Sequence, residues 1–209
     1  YFLFYGEDQI LWERTGNTYR HIPNHYSDSA AYFISIDGGA ETPMRIVSEA
    51  VNAHNATVAT YDFLDLHEDN SSNLIKSGRD WYGEQLGLIE EEDFGFSIPN
   101  VRTNEDARVR CRFAARSVSI EGAGITFSMP SQGGVSQTET VNAAGSSYGS
   151  VFAHVGNISL NFKPRSGDFL AKAKIVKAGN SSAQAWIDYI TIHARRELSF
   201  IEPQMVFRD

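Results

Sequence analysis

The segment Arg108-Val109-Arg110-Cys111-Arg112-Phe113-Ala114 alternates strictly between arginine and apolar residues. A period of two puts Val109, Cys111 and Phe113 on one face and the three arginines on the other. No helix can separate them so cleanly, so this is a half-buried β-strand with a charged outer face. The same logic extends along the chain. Thr57–Leu66, Ile125–Met129, Ser150–Val155 and Ala185–Ala194 are β-branched and aromatic, and Asn157–Phe162 alternates and stops at Lys163-Pro164. Turn-forming clusters separate these runs: Gly122, Gly133-Gly134, Gly145-Ser146-Ser147, Ser166-Gly167-Asp168 and Gly179-Asn180-Ser181-Ser182. Strands at this spacing predict an all-β fold, an antiparallel β-sandwich of jelly-roll-like order with little helix.

Helix is confined to one ambiguous stretch, Arg45 to His54, which follows Pro43. The acidic run Glu90-Glu91-Glu92-Asp93 reads as a solvated loop or turn face. A soft boundary falls near residues 37–56, where Asp37–Pro43 is loop chemistry. Residues 1–45 then form an N-terminal β segment, either the end of a preceding module or added strands of the main sandwich, and residues 46–209 the sandwich domain; residues 1–36 are too few to bury a core alone.

Charge and composition exclude several functions. With 42% hydrophobic and 21% charged residues the chain can bury a core. Its formal charge of −8 disfavours nucleic acid as a partner and argues against docking on anionic lipid through a basic patch. Tyr1–Gly6 lacks the basic start and cleavage site of a signal peptide. It reads as a strand already under way, which predicts a piece of a longer chain.

Four constellations bear on chemistry. Gly145-Ser146-Ser147-Tyr148-Gly149 matches Gly-x-Ser-x-Gly, but a nucleophile elbow needs a helix after it and the residues that follow are strand-like. A turn is the better reading. Cys111 sits mid-strand on the apolar face, where a thiol is inert rather than nucleophilic. Asp62, Asp65, His67, Glu68 and Asp69 are oxygen-rich but fit no calcium-loop spacing, and no zinc pattern occurs, so neither metal nor cofactor is expected. Aromatic residues supply the fourth: Trp81, Tyr82 and Trp186 could stack against a glycan. The side of Trp186 depends on whether a bulge intervenes before Asp188.

The segment Ser77–Glu84 concentrates special chemistry. Gly78 and Gly83 bracket a guanidinium, carboxylates and two aromatics. The expectation is a structural clasp: Arg79 pairs with Glu84 or Asp80, and Trp81 is buried by stacking. The candidate binding residues are therefore Arg79, Trp81, Tyr82, Glu84 and Trp186. No catalytic residue is assigned.

Several stretches, in order, carry a resemblance. They are Tyr1–Gly6 with Trp12; His21-Ile22-Pro23-Asn24-His25-Tyr26-Ser27-Asp28 leading to Tyr32-Phe33; Ser77-Gly78-Arg79-Asp80-Trp81-Tyr82-Gly83-Glu84; Ala115-Arg116-Ser117; Ala185–Ile190 with Ala194-Arg195; and Phe207-Arg208-Asp209. Together they resemble the region upstream of the catalytic domain in PorU-type proteins, the gingipain-like cysteine-peptidase sortases of the Bacteroidetes type IX secretion system. The resemblance implies an exported parent at the outer membrane or cell surface. It implies that the catalytic Cys and His lie in a caspase-like domain after residue 209, so Cys111 does not occupy the catalytic motif. Partners implied are the parent's own catalytic domain and other outer-membrane components of that system. A carbohydrate-binding module is the alternative, with a glycan as partner.

Overall fold

A computed structural model describes residues 10–24, 29–33, 53, 56–76 and 80–200. The chain divides into two compact units, Tyr1–Asn55 and Ala56–Asp209. In the first, β1 (Ile10–Thr15) and β2 (Thr18–Pro23) form an antiparallel hairpin in which Glu13 and Arg20 pair across the strands at 3.0 Å.

The second unit carries β3 (Thr60–Glu68), β4 (Gln85–Leu86), β5 (Glu91–Ser97), β6 (Ala107–Arg116), β7 (Ala123–Met129), β8 (Val135–Val141), β9 (His154–Phe162), β10 (Asp168–Val176) and β11 (Gln184–Glu197). One 3-10 turn, Pro130–Gln132, is its only helical element among the described residues. One sheet runs β3-β11-β6-β9, with β4 also pairing β11, and the other runs β5-β10-β7-β8. All pairs are antiparallel. Setting the short β4 aside, the first strand pairs with the last, the second with the seventh, the third with the sixth and the fourth with the fifth. That nesting is one long hairpin rolled into two layers, the jelly-roll order expected from the strand spacing.

Alternation decides which side chains meet between the layers. Val109, Cys111 and Phe113 of β6, Ile158 and Leu160 of β9, and Ile190 and Ile192 of β11 line one wall. Ile125, Phe127 and Met129 of β7 and Phe169, Ala171 and Ala173 of β10 line the other, and all belong to one buried cluster. Arg108, Arg110 and Arg112 point the opposite way, as their alternation requires. Gly156 lies directly across from Phe113 in the β6–β9 pair, and a Cβ there would overlap the Phe113 ring.

Two local expectations change. Glu91, Glu92 and Asp93 belong to strand β5 rather than to a loop. The reason is cross-strand: Lys172 on β10 reaches Glu91 and Asp93, each at 3.0 Å, and Lys177 just beyond β10 reaches Glu90 at 2.8 Å. A carboxylate row is tolerated in an edge strand when its neighbour supplies the cations. Ser150–Ala153 precede strand β9 instead of forming part of it. The stretch Arg45–His54 lies, apart from Ala53, outside the described residues.

Candidate functional site

Strand β11 organises the most distinctive surface. The segment before β4 is laid along it by backbone bonds: Gly83 N–H donates to Ile187 O at 2.8 Å, and Ile187 N–H donates to Glu84 O at 3.0 Å. Tyr82 and Ser72 exchange backbone bonds at 2.8 and 2.9 Å, which closes the loop between them. Gly83 is required by close approach rather than by a positive φ, since a Cβ would come within 2.9 Å of the Asp69 backbone.

A bulge between Ile187 and Tyr189 inserts Asp188 as an extra residue. Before it, Ala185 and Ile187 face the core, so Trp186 lies on the outer face of the sheet. There Trp186, Ala114 and Tyr82 form a second buried apolar cluster, with Leu74 and Ala153 packed against it. Phe152 approaches Trp186 with ring centroids 6.2 Å apart, and the Arg116 guanidinium stacks 4.3 Å above Phe152.

This arrangement revises the expected clasp. Tyr82 is the buried ring of its segment, at 5% exposure, and Trp81 is 44% exposed. Adjacent strand residues point to opposite sides, so burying one releases the other. Tyr82→Ala is therefore expected to cost about 2–4 kcal/mol and Trp81→Ala less than about 1 kcal/mol. Parallel thermal melts check the ranking, and a larger loss for Trp81→Ala would contradict it.

Beside the cluster sits a partly buried ion pair. Arg112 Nη1 donates to Asp188 Oδ2, and Arg112 Nη2 lies 3.8 Å from the exposed Asp80. Burial pushes the Asp188 carboxyl above its ordinary range, and Arg112 opposes that shift. Arg112 is itself shifted upward: burial acts against its charge, but Asp188 more than compensates.

Glu84 turns the other way. Its Oε1 bonds His67 Nε2 at 2.7 Å, next to the Phe94 ring, which lies 4.9 Å from the imidazole. Glu84 Oε2 is buried without a hydrogen-bond partner among the described residues. The hydrogen bond to Glu84 raises His67, outweighing burial. Burial pushes Glu84 upward, but the bond to His67 leaves it lowered overall.

The signs define a pH window. The His67 contribution is fully present below the ordinary histidine value and is lost as pH rises through its raised folded value. The Glu84 contribution is present above the ordinary carboxylate value and is lost as pH falls through its lowered folded value. The pair is therefore strongest between about pH 4.5 and 6.5. In melting experiments, His67→Gln is expected to cost more near the middle of that window than at mildly alkaline pH. An equal cost at both would show that the pair does not titrate.

The remaining candidates separate in space. Arg79 lies outside the described residues. Along β3, Asp62 bonds His193 at 2.9 Å and lies 3.3 Å from Arg195, while Asp65 lies on the opposite face with His67. Alternation thus divides the acidic group. Cys111 is buried, and burial raises its thiol far above the ordinary value, which makes it a poor nucleophile. Ser147 lies in a turn closed by Ser150 N–H donating to Ser147 O at 3.1 Å, with no helix after it. Sequence reasoning missed the Arg112–Asp188 and His67–Glu84 pairs. The residue types were visible, but the register that joins them was not.

The fold and this surface define an antiparallel jelly-roll domain whose outer sheet face carries an aromatic cluster beside a partly buried ion pair. No protein-family model and no curated protein matches the chain. Among solved structures it is similar to dimeric latent PorU from Porphyromonas gingivalis, at 19% identity and a TM-score of 0.68. The match covers 98% of this chain and 19% of that one, so the chain spans about a fifth of the PorU chain. At this identity the likeness is one of fold. A family 35 carbohydrate-binding module from Clostridium thermocellum matches over 64% of this chain and 90% of its own, at 12% identity and a TM-score of 0.35. A module of type CBM36 in complex with calcium and xylotriose matches over 61% and 98%, at 14% identity and a TM-score of 0.36. Scores this low have no bearing on function.

Proposed function

We propose that this chain is a non-catalytic accessory β-region of an exported, surface-located gingipain-like cysteine peptidase of the PorU type, which positions or docks the peptidase domain. The observation that carries the reading is the fold shared with latent PorU over 98% of this chain. The ordered sequence segments that resemble the region upstream of the PorU-type catalytic domain support it independently. The inert environment of Cys111 and the turn at Ser147 fit a role without chemistry of its own. The partners proposed are the parent's catalytic domain and, beyond it, outer-membrane components of the type IX system.

The carbohydrate-binding reading draws less support. Tyr82 and Trp186 are covered, which leaves Trp81 as the one ring of the three with a broad face in solvent.

The test has two arms. The purified chain should turn over no peptide substrate, and Cys111→Ala should change nothing. Mixed with the separately produced peptidase domain of the same parent, the chain should form a stoichiometric complex in light scattering. Turnover abolished by Cys111→Ala, or no association with the peptidase domain, would overturn the proposal.

A further inference from the structure

Among the described residues the buried charged side chains are Asp62, Asp188 and Arg196. Asp62 is met by His193 and Arg195, and Asp188 by Arg112. Arg196 has no such counterpart. It is 9% exposed, and no hydrogen bond or ion pair joins its guanidinium to any described residue. Its Nε is enclosed and unpartnered. An arginine cannot shed its charge by losing a proton. A charge taken out of water without a counter-ion is costly. This cation is therefore one half of a pair.

Register explains how it comes to be inside. Ile190, Ile192 and Ala194 of β11 face the core, and Arg196 is the next residue of that series. Tyr61 lies across from it on β3, and Val101 bridges it on the other side. Glu197 N–H donates to Asn100 O at 3.0 Å and Arg102 N–H to Arg195 O at 2.8 Å, which fixes that flank. The guanidinium carbon lies 5.8 Å from the centre of the Tyr61 ring and 5.7 Å from that of Phe63. Two aromatic rings thus stabilise the cation, but their faces give its N–H groups no oxygen to bond. Beyond Arg196 the same ladder runs on, with Leu198 N–H donating to Ala59 O at 2.8 Å. Val58, Leu198 and Phe200, around that last bond, are exposed.

We infer that Arg196, Tyr61 and Phe63 form a receptor for one carboxylate carried on an apolar stem, and that this ligand supplies the missing half of the pair. The planar guanidinium presents Nε and one Nη side by side, and this edge matches the two oxygens of a carboxylate. Binding there satisfies the orphaned Nε. One negative charge neutralises one positive charge. A phosphate dianion would leave a net charge in the same apolar surroundings. Chloride has no second acceptor atom for the neighbouring donor. The stem is matched to the two rings and to the exposed Val58 and Leu198 beside them. A free aliphatic acid and a glutamate side chain set among apolar residues share this chemistry. The site stands whether or not the chain docks a peptidase domain.

The experiment is a titration of the isotopically labelled chain with butyrate at constant ionic strength, followed by nuclear magnetic resonance at the arginine Nε–H signals. One signal should move and saturate, with a Kd in the millimolar range that so small a ligand allows. It should be the Nε–H slowest to exchange with solvent, as enclosure requires. The melting temperature should rise over the same range of butyrate. Butyramide, phosphate and chloride should produce neither response. Arg196→Met should lose both, and Arg110→Met, on the outer face of the sheet, should keep both. The peptide acetyl-Leu-Glu-Leu-amide distinguishes the sources. Binding at least about tenfold tighter than butyrate assigns the carboxylate to a protein side chain, and weaker or equal binding assigns it to a free acid. No saturable shift with either ligand would overturn the inference. So would a shift confined to fast-exchanging signals, an equal response to phosphate, or a response retained in Arg196→Met. Should that variant fail to fold, the slow-exchanging signal of the parent still decides the outcome.

Discussion

Phe113→Ala should lower the stability of the sandwich by about 3–5 kcal/mol, the range for emptying a buried aromatic site. For a unit of this size the melting temperature should fall by roughly 10 °C or more. Phe113 is fully buried on the central strand β6, in the cluster that joins both sheets. Its ring fills the space that a side chain at Gly156 would need. The converse change follows: Gly156→Ala should cost about 1–3 kcal/mol by overpacking. The two sites must also couple. Combining Gly156→Ala with Phe113→Leu should cost less than the sum of the single changes, because the smaller residue makes room for the new methyl. Denaturant melts of the four proteins measure this directly. Strict additivity would show that the ring and the glycine do not share one space.

Arg112→Ala is the second large effect expected, at about 3 kcal/mol near neutral pH. Truncation leaves Asp188 buried and ionised without its counter-ion. Much of the loss is the cost of that orphaned charge rather than the value of the pair. Adding Asp188→Asn to Arg112→Ala should therefore recover part of the stability, since an amide needs no counter-charge. The pH dependence is determined by the raised carboxyl. A folded-state value above the unfolded one means that the folded chain holds the proton more tightly. The strain of burying the ionised form is thus relieved as pH falls through the folded value and is complete above it. Without Arg112, which opposes the shift, the carboxyl moves further up. The deficit of Arg112→Ala should shrink at mildly acidic pH. A deficit unchanged from neutral to mildly acidic pH would mean that Asp188 is not the source.

What could be read from the chain alone was whatever depends on neighbours in sequence. The outward arginines and inward Val109, Cys111 and Phe113 of β6 follow from the pleat, which assigns faces two residues at a time. So does the alternation of Asn157–Phe162. Turn residues between such runs were enough to indicate an antiparallel sandwich and its jelly-roll order. The inertness of Cys111 and the turn at Ser147 were legible for the same local reason.

What the tertiary structure decided depends on register between distant strands. The acidic residues 91–93 became a strand because their lysine partner on β10 lies some eighty residues on. Trp81 and Tyr82 are equally hydrophobic neighbours, and the position of β11 determines that Tyr82 is covered. A single bulge at Asp188 places Trp186 on the outer face and turns the carboxylate toward Arg112, 76 residues away in sequence. An inserted residue shifts every later side chain to the other face, and its presence depends on pairing across strands rather than on the residues themselves.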